Sequence, residues 1–242
     1  LGWGITVPFW IAVIALLLAA TLIAIALPRE TPSTLTTSWL QVARQKHAFH
    51  LLRTPSLRQL FIIQLAYTCG VTAFYEFYPL WLVEFAGYHS KGIAWMTAGL
   101  CGVMTLSSLV AGRPSQLMPL ERVRFHAYFA AAAIAIVGLG NAWLGLAAII
   151  LFGFPNAFYN ALLPSWCAER FGHHGQGAVM GLISTTFCLA NIIMAIIGSV
   201  LTLIDTRLIL LLGAVMSTWA AWRIGHWHRE LAELDSRKME AV

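Results

Sequence analysis

Glu76 is the only acidic residue well inside any of the chain's long apolar stretches. A charge at the middle of a helix in lipid costs about 2.5–3.5 kcal/mol on insertion scales, so such a residue faces protein or water. A carboxyl withdrawn from water favours its neutral form, which opens a route to proton gain and loss. One carboxylate cannot hold a proton and a cation with equal ease. Competition between them is a physical basis for exchange, with Glu76 as the proton-coupling residue. The plainer alternative is a hydrogen bond to a neighbouring helix or to water near the outer end of the stretch.

Around Glu76 the polar residues fall into two stripes. At about 100° per residue, Gln64, Tyr67, Tyr75 and Tyr78 share one narrow face, whereas Thr68, Thr72 and Glu76 follow at i, i+4, i+8 on a neighbouring one. An ideal helix cannot aim both at one cavity centre, and Pro79, which can kink a helix, lies beyond them. The tyrosine face is the candidate for substrate contact, with ordinary aromatic packing as its alternative. Further along, Gly145, Gly153, Asn156 and Asn160 share a face, with Pro155 beside them and Tyr159 close by. Buried amides need partners: a ligand, water or another helix. Irregular backbone at a proline is tolerated where it lines a cavity. Between 177 and 203, Gly177, Gly181, Ser184, Cys188, Asn191, Ala195 and Gly198 form a stripe of small residues, which reads as helix packing. Asn191, near its middle, is the exception that could reach a cavity.

The elements that must carry these residues are seven apolar stretches: 3–27, 59–86, 92–111, 126–140, 142–164, 177–203 and 206–222. Of the 15 Lys and Arg residues, all but Lys91 and Arg207 fall in alternate gaps or at the C-terminal end. A chain crossing a bilayer repeatedly shows this partition, so the sequence predicts a polytopic membrane protein with a cytoplasmic C-terminus. Composition agrees. Charged residues make up 10% and apolar ones 59%, with a mean hydropathy of +0.75, whereas a soluble domain carries about 25% charged residues. The basic character therefore belongs to loops beside lipid, and no nucleic-acid partner is expected. The stretch 127–163 is too long for one crossing, and Gly138, Gly140 and Asn141 place a tight turn within it. Residues 129–139, almost all small or aliphatic, suit a peripheral helix facing lipid.

Other chemistries lack support. Cys69, Cys101, Cys167 and Cys188 lie in or beside spans without paired spacing, as free thiols do. The eight histidines show no metal-ligand spacing, there is no phosphate-binding loop for ATP, and no His/Asp or Ser/His cluster sits at bilayer depth. Neither cofactor nor enzymatic activity is expected. The chain begins with Leu1, and its first stretch has no basic residue before it. That argues against a signal peptide, puts the N-terminus outside, and reads as the loss of an odd number of preceding spans.

Three segments resemble a known family. Leu27-Pro28-Arg29-Glu30-Thr31, followed by a long basic loop to Arg58, is similar to the sixth span and central cytoplasmic loop of the major facilitator superfamily. Phe74-Tyr75-Glu76-Phe77-Tyr78-Pro79-Leu80-Trp81-Leu82 resembles its seventh span. Gly175-Gln176-Gly177, with Met180-Gly181 and Ser184, resembles the start of its eleventh span, especially in proton-coupled drug exporters. One motif departs: after Gly112, Gln116 stands where the family's loop carries Asp, and the basic residues come late, at Arg122 and Arg124.

The resemblance implies an all-α helical membrane bundle, comprising the six-span C-terminal half of a twelve-span fold plus the preceding span. Residues 1–27 would be the sixth span, 28–58 the central loop, 59–228 the transporter half and 229–242 a cytoplasmic tail. It also implies alternating access around a midplane site in a plasma or bacterial inner membrane. The implied partners are a small-molecule substrate, protons and an N-terminal half absent from this chain. Proton-coupled efflux of an amphipathic or cationic molecule is the leading expectation. Candidate substrate contacts are Gln64, Tyr67, Tyr75, Tyr78, Asn156, Tyr159, Asn160 and Asn191. A metabolite or sugar symporter of the same fold is the alternative, and a complete seven-span receptor a more distant one.

Overall fold

The computed structural model of the chain describes residues 7–26, 51–112 and 119–240. Among them are seven α-helices and no strand: α1 (Val7–Ala26), α2 (Pro55–Ala86), α3 (Ser90–Ala111), α4 (Pro119–Gly138), α5 (Ala142–Phe171), α6 (Gln176–Leu201) and α7 (Thr206–Glu240). The expected all-α helical bundle is what the described residues form. Helix α1 belongs to a unit of its own, Leu1–Arg44, and the other six helices belong to a second, Gln45–Val242. The segments 27–50 and 113–118, which hold Leu27-Pro28-Arg29-Glu30-Thr31 and Gln116, lie outside the described residues.

Five helices, α2, α3, α5, α6 and α7, are long and apolar enough to cross a membrane. Local chemistry explains where several of them begin and end. Pro55 opens α2 after Thr54, a position where its missing N–H costs nothing and its fixed φ suits a helix. Gly87 closes the helix at φ +67°, its N–H returning to the Leu82 carbonyl, a left-handed cap that glycine adopts without strain. The turn expected within 127–163 is present: α4 ends at Gly138, Gly140 has φ +78°, and the Asn141 side chain caps α5 by accepting from the Leu144 N–H at 3.1 Å. Between α6 and α7, the Arg207 side chain and N–H donate to Asp205. These hydrogen bonds, from the side chain first, hold the Asp205 carboxyl below its usual range.

Three helices overrun their expected ends. Helix α4 begins at Pro119, not near 126, because Leu120, Val123 and Ala127 extend its buried face between Glu121, Arg122 and Arg124. Helix α5 continues through Pro164 to Phe171. In α7 the buried face continues past 222 through Ile224, Trp227 and Leu231, and the helix reaches Glu240. At 1.5 Å per residue its 35 residues span about 52 Å, well over the ~30 Å hydrocarbon core. Residues 229–240 of the expected tail thus continue α7.

Within the second unit, α7 packs on α2 and α4, α5 on α3 and α4, and α6 on α2. Small residues set the closest approaches, as is common where helices associate in lipid. A Cβ on Gly70 of α2 would meet the Ser217 hydroxyl and come within 2.5 Å of the Gly213 carbonyl of α7. A Cβ on Gly153 of α5 would lie 2.8 Å from the Leu100 carbonyl of α3. Aromatic side chains fill the wider gaps, with Tyr67, Phe74, Trp81, Phe152 and Tyr159 fully buried.

Two expected faces are corrected. Helix α4 is not simply a lipid-facing helix: Ala130, Ala131, Ala133, Ile134 and Val137 are buried, while Phe129 and Ile136 are exposed. Its alanines permit close packing, which composition alone does not separate from lipid exposure. The small-residue stripe of α6 is not its main packing face either. Gly177, Gly181, Ser184, Cys188 and Ala195 are exposed, and the face packed in the bundle carries Val179, Leu182, Thr186, Ala190 and Met194; only Gly198 belongs to both. Its approach is nonetheless close, since a Cβ there would run into the Phe77 ring of α2.

Candidate functional site

The middle of α2 and the middle of α5 bring their polar stripes together. Gln64, Tyr67 and Tyr75 from α2 face Asn156 and Asn160 from α5 across a cavity of about 270 Å³. Thr68 and Val71 of α2, Met104 of α3 and Phe187 of α6 complete its lining, which contains no charged residue. A larger hollow of about 460 Å³ lies where α2 ends and α5 begins, among Phe85, Gly87, Tyr88, His89 and Trp143. Chemistry favours the smaller cavity, where convergent amides and phenols occupy the middle of the spans.

Asn156 is the hub. It is buried, with 1% of its surface exposed. Its Nδ2 donates to the Tyr75 hydroxyl at 3.0 Å, and its Oδ1 accepts from Asn160 Nδ2 at 3.0 Å and, at 3.4 Å, from the Tyr67 hydroxyl. The Tyr75 hydroxyl, having accepted from Asn156, turns its own proton to the Met104 sulfur at 3.0 Å. Behind this layer the Tyr159 hydroxyl donates to Gln64 Oε1 at 2.9 Å, and the Tyr159 ring stacks on Tyr67 with centroids 3.5 Å apart. Two groups that meet the cavity are left unspent: the Gln64 amide N–H groups and the Asn160 carbonyl have no partner among the described residues. One end of the site therefore offers donors, another an acceptor, and the remainder offers aromatic and apolar surface.

The other sequence candidates stand off the lining. Tyr159 is a buried support that orients Gln64. Tyr78 reaches α3, where its hydroxyl lies 2.7 Å from Thr97 Oγ1; Thr97 gives its single proton to the Ile93 carbonyl, so Tyr78 is the donor. Asn191 accepts from Thr72 at 3.1 Å and ties α6 to α2. Glu76 is exposed, on the face of α2 opposite the buried Phe74 and Tyr78, with no ion-pair or hydrogen-bond partner among the described residues. Helical spacing requires this separation, since position 76 is turned about 100° from position 75. Met104, Val71 and Phe187 were not sequence candidates; apolar residues in apolar spans carry no signal until a neighbouring helix is placed beside them.

Residues 1–195 match the sequence profile of the Major Facilitator Superfamily. The chain belongs to this superfamily. Searches among curated proteins and among solved structures returned no match. Membership makes the chain an integral membrane protein of a transporter family that moves small molecules and is generally non-enzymatic, and it favours transport over a seven-span receptor. For a superfamily member, a mid-span cavity between helices is where substrate is expected. The α2–α5 cavity lies near the middle of these two helices.

Proposed function

We propose that this superfamily member is a secondary active transporter that exports an amphipathic small molecule in exchange for protons, by alternating access. The observation that carries the reading is the α2–α5 cavity. Its tyrosines and Phe187 offer flat aromatic surface, which attracts delocalised cations as well as neutral rings, and its unspent amide groups fix orientation. Glu76 supplies the proton. Its exposed carboxylate cannot rest against lipid without cost, so its face of α2 adjoins an aqueous path or further protein. In this reading α2–α7 form one six-helix half of a twelve-span fold, α1 is the span before it, and residues 28–58 are the loop between halves. Residues 229–242 form the tail. The basic end of the bundle is cytoplasmic, in a plasma or bacterial inner membrane.

Ethidium, an amphipathic aromatic cation, is a suitable probe. Membrane vesicles carrying the full-length protein should accumulate it against its gradient when a pH difference is imposed, and a protonophore should collapse the accumulation. Accumulation that is indifferent to the protonophore, or none above vesicles lacking the protein, would overturn the proposal.

A further inference from the structure

At the basic end of the bundle, where α4 begins and α7 runs on beyond the apolar region, two guanidiniums share one glycine. Arg124 of α4 lies against α7 at Gly225; a Cβ there would stand 2.9 Å from its Nη1. Arg229 of α7 is tied to the same glycine, its Nε donating to the Gly225 carbonyl at 3.4 Å and its Nη2 lying 3.4 Å from His226 Nδ1. Neither arginine has a carboxylate within ion-pair distance among the described residues. The nearby Glu230 is engaged elsewhere, by Gln59 Nε2 at 2.8 Å and Arg223 at 3.9 Å. Both arginines are exposed. Two like charges beside one residue repel, and an anion between them relieves the repulsion.

The surroundings select the anion. On α7, Val215, Trp219 and Trp222 are exposed and lead at i, i+4, i+7 toward His226 and Arg229. On α4, the exposed Phe125 and Tyr128 follow Arg124 into the apolar part of the helix. The cations thus cap an exposed aromatic and aliphatic face, and tryptophan is a residue that membrane interfaces favour. A free phosphate would use only the charged cap. A molecule with a phosphate and acyl chains uses both parts, and basic pockets between spans are known to hold such headgroups. Guanidinium suits the task because its planar fork pairs two oxygens of a phosphate at once.

We propose that the seat between α4 and α7 at Gly225 binds the phosphate of an anionic phospholipid, whose chains lie along the α7 face carrying Trp219 and Trp222. Arg124 and Arg229 grip the headgroup. Gly225 leaves room for the Arg124 guanidinium, whose Nη1 a Cβ there would approach to 2.9 Å.

The full chain in detergent micelles, titrated with phosphatidylglycerol, phosphatidylcholine or inorganic phosphate and read by native mass spectrometry, tests this. Phosphatidylglycerol should be retained at least roughly tenfold more tightly than phosphatidylcholine, and inorganic phosphate should not displace it. Arg124→Gln/Arg229→Gln should bring it to the phosphatidylcholine level. Arg124→Lys/Arg229→Lys, which keeps the charge, should restore part of the preference, and Arg207→Gln at the opposite end should leave it unchanged. Equal retention of the two lipids by the wild-type chain, or a preference surviving in the double glutamine variant, would overturn the assignment. Displacement by inorganic phosphate would reduce the seat to a small-anion site and equally overturn it.

Discussion

Glu76→Gln in the full-length protein is expected to abolish ethidium accumulation driven by a pH difference while leaving ethidium binding measurable. Glutamine keeps the shape and the hydrogen-bonding capacity of the side chain but cannot release a proton, so the substitution removes one property. Because Glu76 is exposed and has no partner among the described residues, its loss orphans nothing in the bundle, and stability should change by no more than about 0.5 kcal/mol. The separation of Glu76 from the cavity lining sharpens the expectation. A residue that touched the ethidium would weaken binding when changed; one that only carries the proton would not. Wild-type accumulation in the variant would remove Glu76 from the mechanism.

The second large effect is expected at Asn156. Asn156→Ala removes the acceptor for Tyr67 and Asn160 and the donor to Tyr75 in one step. Hydrogen bonds between helices in a membrane average about 0.6 kcal/mol, well below what an orphaned group costs in a water-soluble core. Two of the three bonds, those to Tyr67 and Tyr75, cross between helices and together make roughly 1 kcal/mol, enough to lower the unfolding temperature without dismantling the bundle. The functional loss should be larger than the thermodynamic one. With Tyr75 and Asn160 free to turn, the unspent acceptor of Asn160 is no longer aimed into the cavity, and ethidium transport should fall at least roughly tenfold. Transport at the wild-type rate alongside a lowered unfolding temperature would make Asn156 a packing residue only.

How much of this was legible in the chain follows from where the physical signals lie. Polar residues in apolar spans are costly, so Gln64, Tyr67, Tyr75, Asn156 and Asn160 stand out at helical spacing, and the structure gathers all five around one cavity. Charge blurs the ends of spans. Arg223 and Arg229 lower the hydropathy beyond 222, yet Ile224, Trp227 and Leu231 keep the buried stripe running, and the helix follows the stripe. Smallness is ambiguous in a different way. Alanine and glycine mark close packing in α4 and at the Gly70–Gly213 crossing, but along α6 they are divided between the two faces, with Gly177, Gly181 and Ala195 exposed and Ala190 and Gly198 buried. The apolar part of the lining, Met104 and Phe187, comes from helices that meet α2 and α5 only in three dimensions. No one-dimensional pattern holds that information.

The central claim is that the cavity between α2 and α5 receives the transported molecule. Thr68 lines it and makes no hydrogen bond to Asn156, Tyr67 or Tyr75. A cysteine introduced there reports occupancy without breaking the network. Thr68→Cys in full-length protein lacking its native cysteines should be modified by a water-soluble methanethiosulfonate, and saturating ethidium should slow that reaction about tenfold or more. An unchanged modification rate in protein that still transports ethidium would place the substrate elsewhere and contradict the account.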